Sequence, residues 1–316
     1  MPRIRPAFIY TEQEASAVYS RNVHNYGYKP EPIFSRRNRE SENAPLIGAE
    51  VEVDMTRDTY TLPILASAAK AILGIADGRI YLKRDASLHY GFEIVSHPAT
   101  LASHMYDAHW SGIVNKCVKH GLRSHDTTTC GLHLHVGRKQ LGNTDEERDE
   151  VVRKVKVLVY RHWREVVRFS RRTIDRMNMW SSRELSDYFL SNLAEATDPA
   201  AYASRHIETS NTHNDRYIAV NCENRATIEF RVFRGTLKRD TLMASMQFVS
   251  NVCKYAMAHT WEECLASSFL EVALYERFNE IETYLITRGL ADETCTGRVQ
   301  NTQRVYSHGG TDGVEG

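Results

Sequence analysis

Alternating polar and apolar residues over Gly48–Asp54 predict a half-buried strand. Side chains alternate between the two faces of a strand, so Glu50, Glu52 and Asp54 share one face while the valines between them point into a core. Three carboxylates in a row repel one another unless cations or solvent compensate their charge. Two interpretations stay open at this point: a solvated outer face, or oxygen ligands for divalent metals.

The same periodicity predicts strands and helices along most of the chain. Further strands are predicted at Arg79–Lys83, Phe92–Ser96, Gly131–Gly137, Tyr217–Asn221 and Thr227–Phe233. Helical spacing predicts helices at Thr61–Ile75, Leu101–Lys119, Asn143–Arg171, Asp240–Ala258 and Phe269–Ile286. The pattern is typical of a strand-rich α+β fold with inserted helices.

The pattern also divides the chain into three parts. Residues 1–45 are polar and irregular, with Pro30 and Pro32, and predict an extended N-terminal arm. Residues 46–290 hold the predicted strands and helices and form one domain without internal repeats. Residues 291–316 are polar and rich in glycine, which predicts a disordered tail.

Composition narrows the classes of function. The 316 residues carry 40 basic and 40 acidic side chains, so nucleic-acid binding is not expected. No apolar run approaches the ~18 residues that span a bilayer, and the N-terminus lacks a secretory segment. We therefore expect a soluble, cytoplasmic protein without a membrane partner. The six scattered cysteines form no C-x-x-C pair, so free thiols are expected rather than a zinc ribbon or a disulfide scaffold.

Two histidines and a glutamate–arginine pair lie on the later strands. His133 and His135 share one face of Gly131–Gly137, a pattern that fits a metal site or two ordinary polar residues. Glu229 and Arg231 share the face opposite three apolar side chains on their strand. This pair fits a structural ion pair, and also a metal ligand beside a phosphate-binding guanidinium.

Three further residues are candidates. Glu93 lies between two apolar residues and faces away from them, while Arg216 and Asn221 stand at opposite ends of a predicted strand. The last two would bind a ligand or satisfy the neighbouring backbone. Together the strands predict one sheet with an apolar face against helices and a polar face that carries metals. Because neither glycine-rich phosphate loop is present, a bound nucleotide would be held by metals and arginines.

Four motifs in this order resemble the amidoligases, which are carboxylate–amine ligases of the glutamine-synthetase-like superfamily. They are G-x-E-x-E at 48–52, D-x-S with G-x-E-I-V-S-x-P at 85–98, G-x-H-x-H-x-G at 131–137, and T-I-E-F-R with a following R-G-T at 227–236. The segment Tyr28–Phe34 also resembles the lead-in of phage and bacterial members. The resemblance covers roughly residues 25–260.

The resemblance implies a curved antiparallel sheet, backed by helices, that binds ATP and two or more Mg²⁺ or Mn²⁺ ions. The metal ligands would be Glu50, Glu52, Glu93, His133 and Glu229. Glu93 would serve the site nearer the acceptor substrate, and Glu229 the site at the γ-phosphate. The additional acids that glutamine synthetases carry near the Glu93 position have no match in the motifs. Asp54 lies outside G-x-E-x-E and is expected at the rim of the site.

The remaining implied roles concern ATP and catalysis. His135 would lie beside the phosphates, Arg231 would stabilise the transferring phosphoryl group, and Arg216 and Asn221 are kept as further nucleotide-binding candidates. Arg231, Glu93 and Glu229 form the expected catalytic set.

The sequence thus predicts an ATP-dependent carboxylate–amine ligase that works through an acyl-phosphate. Its partners would be small-molecule or peptide carboxylates and amines, and the resemblance weakly suggests a homo-oligomer. One alternative is a dinuclear metal hydrolase that uses His133, His135 and the acids. Another is a catalytically silent binding protein on the same scaffold.

Overall fold

The computed structural model of the protein describes residues 10–210, 217–292 and 294. Its strands are β1 (Val23–His24), β2 (Leu46–Val53), β3 (Ile80–Lys83), β4 (Phe92–Ser96), β5 (Ala99–Thr100), β6 (Gly131–Gly137), β7 (Val220–Asn221) and β8 (Thr227–Arg234). They form one eight-stranded sheet in the order β1-β3-β4-β2-β6-β8-β7, and β5 pairs with β2. All pairings except that of β1 with β3 are antiparallel.

Helices cover one face of this sheet and fill most connections. They are α1 (Glu12–Asn22), α2 (Leu62–Ala76), α3 (Leu101–Tyr106), α4 (Trp110–Lys119), α5 (Asp145–Arg161), α6 (Trp163–Ser170), α7 (Ile174–Trp180), α8 (Asp187–Glu195), α9 (Pro199–His206), α10 (Arg239–Ala258), α11 (Trp261–Ala266), α12 (Phe269–Ala273) and α13 (Asn279–Thr287), with a 3₁₀ turn at Arg138–Leu141. The predicted α+β class, an antiparallel sheet backed by helices, is confirmed.

The core lies between the apolar face of the sheet and the helices. Val51, Leu134 and Phe230 are fully buried on neighbouring strands, in one cluster with side chains of α2, α5 and α10. Phe169 of α6 stacks on Phe248 of α10 at a ring-centroid distance of 4.7 Å. Apolar residues at every second strand position are therefore what force the acids and histidines between them to the other face.

The expected extended arm contains a helix. Thr11 accepts a hydrogen bond from the Glu14 backbone N–H, and the Glu14 carboxylate accepts one from the Thr11 N–H, which begins α1 with a capping box. The helix packs against α2, and the Tyr19 hydroxyl donates to the Gly91 carbonyl. Only one residue of α1, Ala15, is buried, so the helix carries too weak an apolar stripe to be predicted.

Three predicted helices are interrupted. The helix predicted at 101–119 breaks where His109 adopts a left-handed conformation with φ 53°, and that at 143–171 breaks at His162. The helix predicted at 269–286 is two helices, α12 and α13. The strand predicted at 217–221 keeps only its last two residues as β7. The helices α7, α8, α9 and α11 were not predicted.

Several other expectations have definite outcomes. The five cysteines in the described part of the chain are free thiols, and Cys295 lies outside it. Arg216 and the predicted disordered tail beyond 294 also lie outside the described residues. Within the described ranges, no helix is both long enough and apolar enough to cross a membrane.

Candidate functional site

The polar face of the sheet forms the floor of a cleft of about 1320 Å³. Eight of the nine candidate side chains line this cleft, and only Arg216 lies outside the described residues. The eight are Glu50, Glu52, Glu93, His133, His135, Asn221, Glu229 and Arg231. The structure therefore brings the candidates from five strands into one place.

Strand register explains why these side chains meet. Glu52 of β2 is paired with Glu93 of β4, and Glu50 with His133 of β6. On the far side of β6, His135 is paired with Glu229 of β8. Paired residues in antiparallel strands hold their Cβ atoms about 5 Å apart on the same face, so each pairing converges on the cleft.

One cluster of metal-ligating groups lies at the centre of the sheet. Ligand atoms of Glu50, His135 and Glu229 lie within 4.8 Å of one another. His133 lies beside them, with its Nδ1 3.6 Å from Glu50 Oε2 and 3.4 Å from Glu229 Oε1. Asn221 donates to Glu229 Oε2 at 3.1 Å, which orients that carboxylate.

A second cluster lies toward β4. Ligand atoms of Glu52, Asp85 and Glu93 also lie within 4.8 Å of one another. Asp85 was not among the predicted site residues, because it lies in the loop between β3 and β4, where no strand periodicity assigns it to a face. The available signal was its D-x-S pattern: Asp85 Oδ1 accepts a hydrogen bond of 2.7 Å from the Ser87 N–H, which fixes the loop.

Lys83 lies within this acidic surface and was also missed. Its Nζ is 3.0 Å from Glu93 Oε2 and 3.7 Å from Glu50 Oε1. Lys83 is the last residue of β3 and is paired with Glu93, so strand alternation alone was enough to place it on the polar face. The ammonium supplies one positive charge between the two clusters.

The clustered charges change the proton affinity of their neighbours. Burial raises the pKa of Glu93 to about 8, and the negative charge of Glu50 adds to this effect against Lys83. Burial would also raise the pKa of Glu50, but His135, His133 and Lys83 outweigh it and hold that pKa well below its ordinary value. Burial opposes the charged form of His135, yet the carboxylate of Glu50 raises its pKa to about 9. Without a bound cation, the crowded carboxylates therefore favour proton uptake at Glu93 and at His135.

The residues present fit a hard divalent cation. Carboxylates with one or two imidazoles are the donor set of Mg²⁺ and Mn²⁺ sites, with imidazole favouring Mn²⁺. His135 Nε2 is buried, makes no hydrogen bond to a described residue, and lies 3.5 Å from Glu50 Oε1. A buried ring nitrogen without a hydrogen bond is a costly arrangement for a purely structural residue.

A β-bulge in β8 changes which side chains reach the cleft. Phe230 is paired with Leu134 and Phe233 with Leu132, so two residues of β8 stand opposite one residue of β6 between these pairs. Both phenylalanines are therefore buried, and both Arg231 and Arg234 line the cleft. Uninterrupted alternation put Arg234 on the apolar face or beyond the strand end, and the bulge explains the difference.

Asp54 is a buried structural residue rather than a rim residue. Its carboxylate accepts hydrogen bonds from the backbone N–H groups of His89 and Tyr90, at 3.1 Å and 2.6 Å, and from the Thr129 hydroxyl at 3.0 Å. These bonds hold the loop that carries Asp85 and the loop that precedes β6. The third acid of the opening row thus positions the site without lining it.

Residues 75–253 match the family model described as "Putative amidoligase enzyme". The chain belongs to this amidoligase family. The matched range contains β3 to β8 and most of the site, whereas β2, with Glu50 and Glu52, precedes it. None of the curated proteins compared with the chain matches it.

Two solved structures are similar to the chain at low identity. The complex between the prokaryotic ubiquitin-like protein Pup and its ligase PafA aligns with a TM-score of 0.35 and 11% identity, over 75% of this chain and 51% of that one. Apo GmaS without ligand aligns with a TM-score of 0.39 and 10% identity, over 96% and 78% respectively. The chain thus spans about half the length of the matched chain in the Pup–PafA complex.

Proposed function

We propose that the protein is an ATP-dependent carboxylate–amine ligase that forms an amide bond through an acyl-phosphate. Membership of the amidoligase family supports the ligase class. The observation that carries the proposal is the cleft floor, where two clusters of metal-ligating groups lie beside Arg231 on one sheet face. Phosphoryl transfer relies on charge neutralisation and positioning, and this surface offers both.

The reaction has two displacements. An oxygen of the substrate carboxylate attacks the γ-phosphorus of ATP, the bond to the β-phosphate breaks, and ADP leaves. The amine nitrogen then attacks the acyl carbon, the carbon–oxygen bond to phosphate breaks, and the amine loses a proton as the amide forms. A carboxylate is a poor acyl donor because its leaving group is an oxide, and phosphorylation removes that obstacle.

The residues of the chain divide between the two clusters. Glu50, His135 and Glu229, with His133 beside them, would hold one cation near the phosphates, and Glu52, Asp85 and Glu93 a second. Such cations neutralise phosphate charge and polarise the oxygen atoms bound to them.

Arg231 is the phosphoryl-binding candidate. It contacts Glu229 Oε1 and lies 5.9 Å from the centroid of the Tyr217 ring, so its guanidinium lies beside a carboxylate of the first cluster. A delocalised guanidinium with several donors suits the equatorial oxygens of a transferring phosphoryl group.

The function is tested by ADP release with Mg²⁺ or Mn²⁺ against pools of carboxylates and amines. We expect ADP formation to require an added acid and to fall by at least 100-fold in Glu52→Gln and Arg231→Ala. Two exposed residues outside the cleft, Glu195 and Arg57, give the matched controls Glu195→Gln and Arg57→Ala, which should retain activity.

Two outcomes would reject the ligase. ADP formation that never depends on an acid, or that survives both substitutions, contradicts the proposal. Hydrolysis of a substrate without nucleotide would instead favour the dinuclear hydrolase. A cytoplasmic location, small-molecule or peptide substrates and a homo-oligomeric state remain predictions that accompany the proposal.

A further inference from the structure

The short strand β7 connects the core to the cleft. Its first residue, Val220, is buried in the core, and its second, Asn221, is paired with Glu229 on the cleft side. Asn221 Nδ2 donates to Glu229 Oε2 at 3.1 Å, and Asn221 Oδ1 accepts from the Glu223 N–H at 2.8 Å. Both ends of the amide are therefore held, and the other carboxylate oxygen, Glu229 Oε1, lies 3.4 Å from His133 Nδ1 in the cluster.

A two-residue strand at the edge of a sheet has few backbone hydrogen bonds to hold it in place. In the strand order of the described residues β7 is the last strand, beside β8. The Val220 N–H donates instead to the hydroxyl of Tyr160 on α5, at 3.3 Å, and both residues are fully buried. A buried backbone N–H without a partner is costly, so the position of β7 depends in part on this hydroxyl.

Charged neighbours hold Tyr160 and the surrounding part of α5. One turn earlier on this helix, the fully buried Lys156 donates to Glu184 Oε1 at 3.0 Å and to the Glu208 carbonyl at 2.6 Å. Arg183 Nη2 donates to the Tyr160 carbonyl at 3.0 Å. Burial, followed by the negative charge of Glu184, raises the pKa of Tyr160 well above its ordinary value, so the hydroxyl keeps its proton. These contacts fix the direction in which the hydroxyl points.

We propose that Tyr160 is a positioning residue for the metal cluster that contains Glu229: its hydroxyl fixes β7, so that Asn221 holds Glu229 in the orientation that binds a cation. This inference rests on the proposed function for the presence of a cation at Glu229. Tyr160 does not line the cleft, so it acts through Asn221. Groups that hydrogen-bond to a metal ligand orient it, and their loss commonly weakens metal binding by about 10–100-fold.

The test measures Mn²⁺ binding to the full chain without nucleotide, by calorimetry and by electron paramagnetic resonance. The relevant Mn²⁺ site is the one that Glu229→Gln removes. Tyr160→Phe keeps the ring and removes only the hydroxyl, and it should weaken Mn²⁺ binding at that site by about tenfold. The affinity of the second cluster, which contains Glu93, should stay unchanged in this variant.

A double-mutant cycle tests whether Tyr160 acts through Asn221. Asn221→Ala should weaken Mn²⁺ binding at the same site by at least as much as Tyr160→Phe does. Once the Asn221 amide is absent, the position of β7 no longer affects Glu229 through it. Tyr160→Phe in the Asn221→Ala background should therefore cause no further loss of affinity.

Tyr284 provides the matched control for a purely structural hydroxyl. Its hydroxyl donates to the Phe169 carbonyl at 2.7 Å, and it does not line the cleft. Tyr284→Phe should lower the midpoint of thermal unfolding about as much as Tyr160→Phe does, by roughly 2–4 °C. The Mn²⁺ affinity of Tyr284→Phe should equal that of the wild type, and a Tyr160 with only a structural role would give the same result.

Three outcomes overturn the inference: unchanged Mn²⁺ affinity in Tyr160→Phe, additive losses of affinity in the double variant, or a wild type without an Mn²⁺ site that depends on Glu229. Failure of the proposed function is read separately, because it appears as ADP release that needs no acid while Mn²⁺ binding and its dependence on Tyr160 persist.

Discussion

The buried residue His104 contacts the backbone of β2, the strand that carries Glu50 and Glu52. It is buried on α3; its Nε2 lies 2.8 Å from the Ile47 carbonyl of β2, and its Nδ1 accepts from the Trp110 indole N–H at 3.2 Å. Both ring nitrogens are thus satisfied only in the neutral form, because a proton on Nδ1 would face the indole N–H. Burial accordingly lowers the pKa of His104 to about 4.

This arrangement predicts acid sensitivity. The unfolded chain takes up the His104 proton near its ordinary pKa of 6.5, whereas the folded chain does so only near 4. The stabilisation is complete above pH 6.5 and is lost as the pH falls to 4, which at ~1.4 kcal/mol per pH unit amounts to roughly 3 kcal/mol. Urea unfolding at pH 7 and at pH 4.5 checks this. Between these two pH values, the free energy of unfolding should fall less in His104→Leu than in the wild type. The exposed-site control His206→Asn should follow the wild type, and equal changes in all three proteins would contradict the prediction.

The position of Lys83 predicts that its removal lowers the stability of the protein and raises its affinity for metal. Its ammonium compensates Glu50 and Glu93, and a cation bound there would take over that role. In the metal-free protein, Lys83→Met should lower the free energy of unfolding by about 1–3 kcal/mol. The same variant should bind Mn²⁺ more tightly in calorimetric titration, with the exposed Lys119→Met as the control. Unchanged or weaker Mn²⁺ binding in Lys83→Met would refute this role.

At the scale of elements, Gly91, which follows the loop that carries Asp85, packs so closely against the end of β2 that no side chain fits there. A Cβ on Gly91 would lie 1.8 Å from the Val53 carbonyl oxygen and 2.8 Å from the Asp54 Cα, so the backbone itself would have to move. Gly91→Ala should cost about 3 kcal/mol or more.

Gly74 provides the matched control for this substitution. It lies within α2, and the position that a Cβ would take there has no described atom of a neighbouring element within 4 Å. Gly74→Ala should therefore raise the free energy of unfolding by about 0.5–1 kcal/mol. Chemical denaturation of both variants checks the pair. A tolerated Gly91→Ala would show that this contact is looser than described.

Sequence periodicity predicted the long elements well and their interruptions poorly. The strands β2, β4 and β6 and the helices α2 and α10 match because each shows one unbroken period. The breaks at His109 and His162 leave the helical spacing of apolar residues intact on both sides, so spacing alone did not reveal them. Register, which brings Glu52 opposite Glu93, depends on the whole sheet rather than on one segment.

The same limits apply to the site. Residues at regular strand positions, such as Glu50, His135 and Glu229, were predicted because alternation assigns their face. Asp85 lies in a loop, so alternation assigned it to no face. Arg234 lies beyond a bulge, so alternation did not place it on the polar face.

At the scale of the whole molecule, one sheet separates an apolar core from a charged cleft. Helices cover the apolar face, and the opposite face gathers two clusters of groups that could hold metal ions, together with Arg231 and further arginines, within a single cleft. This distribution accounts for an amidoligase without a glycine-rich phosphate loop, since cations and guanidinium groups would replace the backbone donors of such a loop.

The most direct test of this account is anomalous diffraction from crystals grown with Mn²⁺ and a non-hydrolysable ATP analogue. The account predicts one manganese peak among Glu50, His135 and Glu229 and a second among Glu52, Asp85 and Glu93, with the terminal phosphate facing Arg231. Manganese found only outside these clusters, or a nucleotide bound away from the cleft, would contradict it.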